Sequence, residues 1–376
     1  MSAFFWTYER HAYKLSVSYS LLLPALLCAC NARAWRSAAN QPLFFISLLY
    51  LAYMTAIGLI QHNDGATEHI QWSGYILLFL FAVGLRMRIA DEALARTLLF
   101  ASAVAAAAIV YAAARDWSSG AMQASDYRMT GYGALYNPLR SAHLFGAFAC
   151  IAIWFARAQP RSLPTQLLSW SIAAICFIGI LLSGSRSPLF ALAIIGLLLA
   201  ARDIIRYGRP QLLLAIAAIG AGIGFAFWPE LSERGLSLRP QLWSQTLALA
   251  AQNPWFGVGL NAPLQLPVEG TVYSDTHNIL LAALYRGGII GLLLFLLQYG
   301  YALHLLWLAK PLTPLHKLAA GLILYGLLTL QFDGGSLIGR PTEFWVLLWL
   351  PLALTLRANA GPNTGLDKAP SHASVI

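Results

Sequence analysis

Charge is scarce in this sequence. Asp, Glu, Lys and Arg make up 10% of its 376 residues, where a soluble domain carries about 25%. With 59% of residues hydrophobic and a mean hydropathy of +0.63, too little polar surface exists to clothe a water-soluble globule, so the bilayer must act as solvent for most of the chain. Cysteine is nearly absent as well. The four present (Cys28, Cys30, Cys150, Cys176) all fall inside apolar runs, which excludes a disulfide framework or a zinc site of cysteine spacing. Also missing are a Walker-type loop, a strand–Gly–helix setting for a dinucleotide, and an HExxH, CxxC or carboxylate-cluster metal motif. Neither a cofactor nor a metal is expected. The net charge of +9 is scattered in ones, twos and threes between apolar runs, so the dense basic face that a nucleic acid needs is not formed. No cleavable signal pattern opens the chain. Residues 1–14, with Glu9, Arg10 and Lys14 among aromatics, read as an interfacial lead-in to a first span.

What the sequence does have is a series of apolar runs near the ~20 residues that a helical span needs. They cover 15–31, 42–60, 70–85, 94–114, 138–156, 165–182, 188–202, 211–228, 278–308, 318–332 and 342–357, about eleven in all. The expected fold is an all-α polytopic integral membrane protein, a single helical domain over 1–360 followed by a Gly/Pro/Ser-rich, disordered tail at 361–376. Six alternate connections, ending with the tail from Arg357, hold 14 of the 24 Lys and Arg, and the opposite set holds eight. The positive-inside rule makes the first set, and the C-terminus with it, cytoplasmic. Two connections on the other side are long, 115–137 and 229–277, and loops beyond about 12–15 residues are usually functional or disordered. The second carries an amphipathic helical run from Pro240 to Gln252, stopped by Asn253-Pro254. That run fits either a helix lying flat on the outer membrane surface, anchored by Trp255 and Phe256, or a helix capping the core.

Polar residues beside spans are costly and therefore mark candidate sites. Arg186 lies in the tight external turn Ser183-Gly184-Ser185-Arg186-Ser187-Pro188, where a helix start, a guanidinium and three hydroxyls would suit an anion. Arg239 precedes the loop helix in Leu238-Arg239-Pro240. A planar guanidinium grips phosphate oxygens in pairs, which favours arginine over lysine at both positions. His277, within Ser274-Asp275-Thr276-His277-Asn278, is the side chain suited to accept a proton near neutral pH, with Asp275 placed to raise its basicity or fix its tautomer. Singly, each residue also fits a plainer role: a snorkelling arginine, a solvated loop charge, a hydrogen-bonded interfacial histidine. Arg140 with His143, and the Asp333–Glu343 turn with Arg340, add polar groups on the same side. Their co-location is the stronger signal, and it suits a diphosphate-bearing substrate with proton abstraction from an attacking hydroxyl. A metal held by Asp275, His277, Asp333 and Glu343 is the weaker alternative. An anion transporter would also want external arginines, but no internal repeat or pair of broken helices is evident.

The motifs, in order, resemble those of the O-antigen ligase-like membrane proteins. The likeness rests on Ser183-Gly184-Ser185-Arg186, on Arg239-Pro240-Gln241-Leu242-Trp243 through Asn253-Pro254-Trp255-Phe256-Gly257-Val258-Gly259, and on Thr276-His277-Asn278 followed by Gly287-Gly288. It is densest over 180–295 and departs at Arg286, where the family often has an acidic residue, and in span count, which is usually about twelve in the family. The resemblance implies a bundle like that of C-type glycosyltransferases, in the bacterial inner membrane with its site facing the periplasm. The donor would be a glycan on undecaprenyl diphosphate and the acceptor a sugar hydroxyl of lipid A–core, joined by metal-independent inverting transfer. Arg186 and Arg239 would bind the donor diphosphate and His277 would activate the acceptor, with Asp275, Asn278, Arg140 and Arg340 in support. A polymerase or a protein O-oligosaccharyltransferase would share this chemistry.

Overall fold

The computed structural model describes residues 26, 38, 40–61, 65–86, 90–124, 126–131, 137–157, 162–207 and 238–360. They form ten α-helices and one small hairpin. In chain order these are α1 (Pro42–Ile60), α2 (Ala66–Phe79, continued by a π-helical turn Leu80–Arg86), α3 (Asp91–Ser118), α4 (Pro138–Arg157) and α5 (Leu163–Leu182). Next come α6 (Arg186–Tyr207), α7 (Arg239–Ala250), β1 (Leu266–Val268), β2 (Thr271–Tyr273), α8 (Ile279–Leu308) and α9 (Pro314–Asp333). The last is α10 (Leu350–Asn359), entered through a π-helical turn Trp345–Trp349. Seven helices are long and apolar enough to cross a membrane, and Arg186–Ala201 and Trp345–Asn359 are shorter apolar helices. These nine coincide with nine of the eleven expected spans. The run at 211–228, most of 15–31 and the tail 361–376 lie outside the described residues.

Proline starts several of these helices (Pro42 in α1, Pro138 in α4, Pro314 in α9), where its missing N–H removes nothing that a helix start would use. Asp91 and Glu92 open α3 and Arg115 closes it, each charge matched to the helix dipole. Helix α4 is the innermost. Residues Ser141 to Ala149 are all buried, and the small side chains among them let α3, α5, α6 and α9 pack closely around it. Helix α5 is peripheral and shows Leu167, Leu168, Trp170 and Ile178 to the outside, an apolar stripe suited to lipid and not to water.

Helix α8 is not continuous. Gly288 takes φ 63°, ψ −167°, a conformation essentially reserved for glycine. In an intact helix the N–H groups of Ile289 and Ile290 would reach the carbonyls of Tyr285 and Arg286. Here the loop 253–259 is spliced into the gap. Ile289 and Ile290 donate to the Pro254 and Trp255 carbonyls (2.7 and 3.3 Å), while Val258 and Gly259 donate to the Tyr285 and Arg286 carbonyls (3.1 and 2.9 Å). The two amides and two carbonyls named here thereby find partners, as a low-dielectric setting demands. A Cβ on Gly257 would stand 2.5 Å from the Gly288 nitrogen, so both crossing strands need glycine. The Asn253–Gly259 and Gly287-Gly288 motifs thus have a structural task. Beside them α7 packs Leu242 and Ala250 against Leu264, Leu266, Val268 and Tyr285, and Gln245 donates to the Pro267 carbonyl at 2.9 Å. The loop helix therefore caps a small second core.

Substituting Gly288 by Ala should cost about 3 kcal/mol or more, combining backbone strain with a clash against the Trp255 carbonyl. The detergent-solubilised variant should show a clearly lowered unfolding midpoint. A midpoint equal to the parent's would mean that the splice tolerates a side chain.

Candidate active site

Five chain segments converge at one end of the bundle. Asn137 caps α4, its side-chain oxygen accepting from Leu139 N (2.9 Å), and two turns along that helix His143 points inward, only 2% exposed. The turn between α5 and α6 is fastened by Arg128, which donates to the Ser183 carbonyl at 2.8 Å, and Ser183 Oγ donates to the Ile180 carbonyl at 2.6 Å. Arg186 and Ser187 then begin α6, the arginine exposed and the serine buried. Arg239 is the first residue of α7. His277 ends the segment after the hairpin, and Asn278 caps α8 by accepting from Leu280 and Leu281 N (2.9 and 3.0 Å). Asp333 closes α9.

Asp333 is where these segments meet. Its side chain is 4% exposed. Oδ1 takes Arg239 Nη2 at 3.1 Å and faces His277 Nδ1 at 3.5 Å. Oδ2 accepts from Ser187 Oγ at 3.0 Å and faces His143 Nε2 at 3.4 Å. Arg239 is held further by its Nε, which donates to the Phe332 carbonyl at 2.6 Å, and by the Phe332 ring lying 6.0 Å from the guanidinium carbon. A carboxylate this enclosed is stable only because donors from four other segments compensate its lost hydration.

The backbone at His277 is itself unusual, with φ +50°. Asp275 holds that conformation by accepting the His277 N–H at 2.9 Å. The Asp275 carboxylate lies so close over Gly335 that a Cβ there would overlap it. Thr276 Oγ1 donates to the Gly334 carbonyl at 3.2 Å, and Asn278 Nδ2 donates to the Gln331 carbonyl at 3.0 Å. The loop is thus stitched to the end of α9 on both sides of the histidine. The Asp333 hydrogen bond raises the His277 pKa above its ordinary 6.5. Burial opposes that rise, the Asp275 and Asp333 charges add to it and the Arg239 charge subtracts from it.

Of the residues singled out from sequence, His277 and Arg239 share Asp333, and Arg186 is the chain neighbour of Ser187, which also does. Asp275 and Asn278 work on the backbone, as conformational lock and helix cap. Arg140 stands apart from Asp333: its Nε lies 3.2 Å from Oε1 of the buried Glu343. Arg340 is exposed on the loop after α9. The three serines expected to greet an anion are largely engaged internally, Ser183 with Ile180 and Ser187 with Asp333, while Ser185 is buried. The sequence grouped Asp333 and His143 with the other candidates but gave neither its contact. The available signal was an aspartate ending an apolar helix just before a Gly-Gly pair.

Residues 171–296, which hold Arg186, Arg239 and His277, match the family model described as "O-Antigen ligase". The chain is also 33% identical over 365 residues to an "O-antigen ligase" of Pseudomonas aeruginosa, an alignment covering 94% of this chain and 87% of that relative. The chain belongs to the O-antigen ligase family. As a member it is a glycosyltransferase-type enzyme, and the Asp333 cluster lies where its matched segment meets α4 and α9.

The raised pKa of His277 fixes two signs. Its protonated form adds stability that is fully present below the unfolded value, ~6.5, and is lost as pH rises through the higher folded value. Replacing Asp333 by Asn removes the main cause of the shift, so the His277 titration, followed by NMR of the imidazole, should move to lower pH. An unmoved titration would separate His277 from Asp333.

Proposed function

We propose that the Asp333 cluster is the catalytic centre of an O-antigen ligase. The reaction is metal-independent and inverting. It moves a glycan from undecaprenyl diphosphate to a sugar hydroxyl of lipid A–core at the periplasmic face of the inner membrane. The observation that carries this reading is the placing of His277 and Arg239 on one carboxylate oxygen, 3.5 and 3.1 Å away. With Nδ1 turned to Asp333, the lone pair for proton transfer sits on Nε2. That nitrogen takes the acceptor hydroxyl's proton as the oxygen attacks the anomeric carbon. The bond from that carbon to the diphosphate oxygen breaks, and its electron pair leaves with the diphosphate. Arg239 and Arg186 meet the charge that develops there. A single displacement inverts the anomeric centre. Asp333 positions the base and the arginine together, so distance and charge are set before substrate arrives.

The test uses cells lacking the native gene and complemented with variants at equal membrane abundance. His277→Ala should lower glycan transfer about 10²–10⁴-fold, and Arg186→Ala and Arg239→Ala about 10²–10³-fold each, read as loss of glycan-capped lipopolysaccharide. Glycan capping at parental levels in all three would sink the mechanism. With purified protein, product formed from lipid-linked donor alone would instead point to a polymerase.

A further inference from the structure

His143 takes no part in the transfer chemistry above, yet it is tied to α9 twice. Its backbone carbonyl accepts from Tyr325 Oη at 2.9 Å. Its ring Nε2 lies 3.4 Å from Asp333 Oδ2 and 3.4 Å from Ser187 Oγ. Gly146, one turn further along α4, lets the two helices meet this closely, since a Cβ there would overlap the Tyr325 hydroxyl. The ring is 2% exposed and packed on all sides, which leaves it little room to turn.

The neighbours decide where the ring carries its proton. Ser187 spends its one hydroxyl proton on Asp333 Oδ2 at 3.0 Å, so towards His143 its oxygen can only accept. Oδ2 belongs to a carboxylate paired with Arg239, and an ionised carboxylate only accepts as well. Both groups facing Nε2 are therefore acceptors, and Nε2 must carry the proton. Nδ1 is buried with no hydrogen-bond partner among the described residues, and a proton placed there would be buried unsatisfied. His143 is thus a donor of fixed direction, from Nε2–H to Oδ2.

A carboxylate needs such a donor to keep its plane. The torsion about the Asp Cβ–Cγ bond is broad, and Arg239 and His277 both face Oδ1. The Ser187 hydroxyl can swing with the carboxylate, whereas the packed His143 ring cannot. We propose that His143 is a positioning residue, whose Nε2–H pins Oδ2 of Asp333 so that Oδ1 keeps its aim on His277 and Arg239. The assignment rests on the catalytic reading above and adds a residue too buried to touch substrate. Arg239 has a second hold, its Nε on the Phe332 carbonyl at 2.6 Å. A swivelling carboxylate would therefore disturb His277 more than the arginine, and the cost should fall on kcat and not on the donor KM.

Two measurements test this on the whole chain in detergent micelles. The first is nitrogen NMR of protein labelled at its histidine rings, where the His143 signals are those lost from His143→Gln. They should show Nε2 protonated and Nδ1 bare, and a bare Nε2 overturns the proposal whatever the activity. The second is turnover with undecaprenyl-diphosphate-linked glycan and lipid A–core. Gln is long enough to set its amide N–H where Nε2 stands, and Asn is one bond too short. His143→Asn should lower kcat about 10–100-fold, the weight of one hydrogen bond to a charged group, with the donor KM within about twofold of the parent's. His143→Gln should bring kcat back to within about threefold of the parent, because the donor is restored. Tyr325→Phe cuts only the backbone tie, so it should lower the unfolding midpoint and leave kcat unchanged. If His143→Asn fails to fold, His143→Met, which fills the space without a donor, takes its place. Parental kcat without the donor, equal loss in the Gln variant, or the same loss in Tyr325→Phe overturns the assignment. Full turnover by His277→Ala would overturn the catalytic reading, and the nitrogen spectrum would still judge the His143 donor.

Discussion

One enclosed carboxylate organises one end of this helical bundle. Asp333 ends a long apolar helix with its side chain 4% exposed, a place where an unpaired charge would be strongly disfavoured. Its oxygens are divided between two pairs of partners, Arg239 with His277 and Ser187 with His143. These partners belong to four different segments, so satisfying one carboxylate draws α4, α6, α7 and the entry of α8 onto α9. The same requirement that stabilises the charge sets the histidine and the arginine at fixed separations. Structure and chemistry share a cause here: a loss of any partner would loosen the packing and the site together.

The remaining scaffold keeps that arrangement stiff. The segment bearing His277 is held at Asp275, Thr276 and Asn278, and each hold ends on its own backbone or on the end of α9. The histidine's left-handed backbone is a strained choice for a residue with a side chain. It persists because the residues on either side are fastened. Strain of this kind tends to accumulate where geometry matters for function, and here it aims the ring at Asp333.

Much of this was legible in the sequence. Apolar runs gave nine of the helices, and polar outliers at their ends named Arg186, Arg239 and His277. Asp333 escaped its role because its partners lie far off in the chain: Arg239 is 94 positions away and Ser187 is 146. No local pattern reports such a meeting. The serines of the 183–187 turn misled for the opposite reason. Hydroxyls grouped around an arginine look ready for an anion, yet two of them satisfy groups of the protein itself. The glycine motifs were visible as a family mark, but their purpose required seeing two backbones cross. The loop helix admitted two sequence readings, and its packing against Leu266, Val268 and Tyr285 selects the capping one.

The spliced break in α8 bears on how the chain is made. Pro254 and Trp255 precede Ile289 and Ile290 by 35 residues, so during synthesis the carbonyls exist before the amides that need them. Val258 and Gly259, in turn, wait with open N–H groups for the Tyr285 and Arg286 carbonyls. The loop is thus a template laid down in advance, and the helix completes its hydrogen bonding on it as it emerges. A break with its acceptors downstream would have to remain open until later segments were translated. Here the order of the sequence closes it at once.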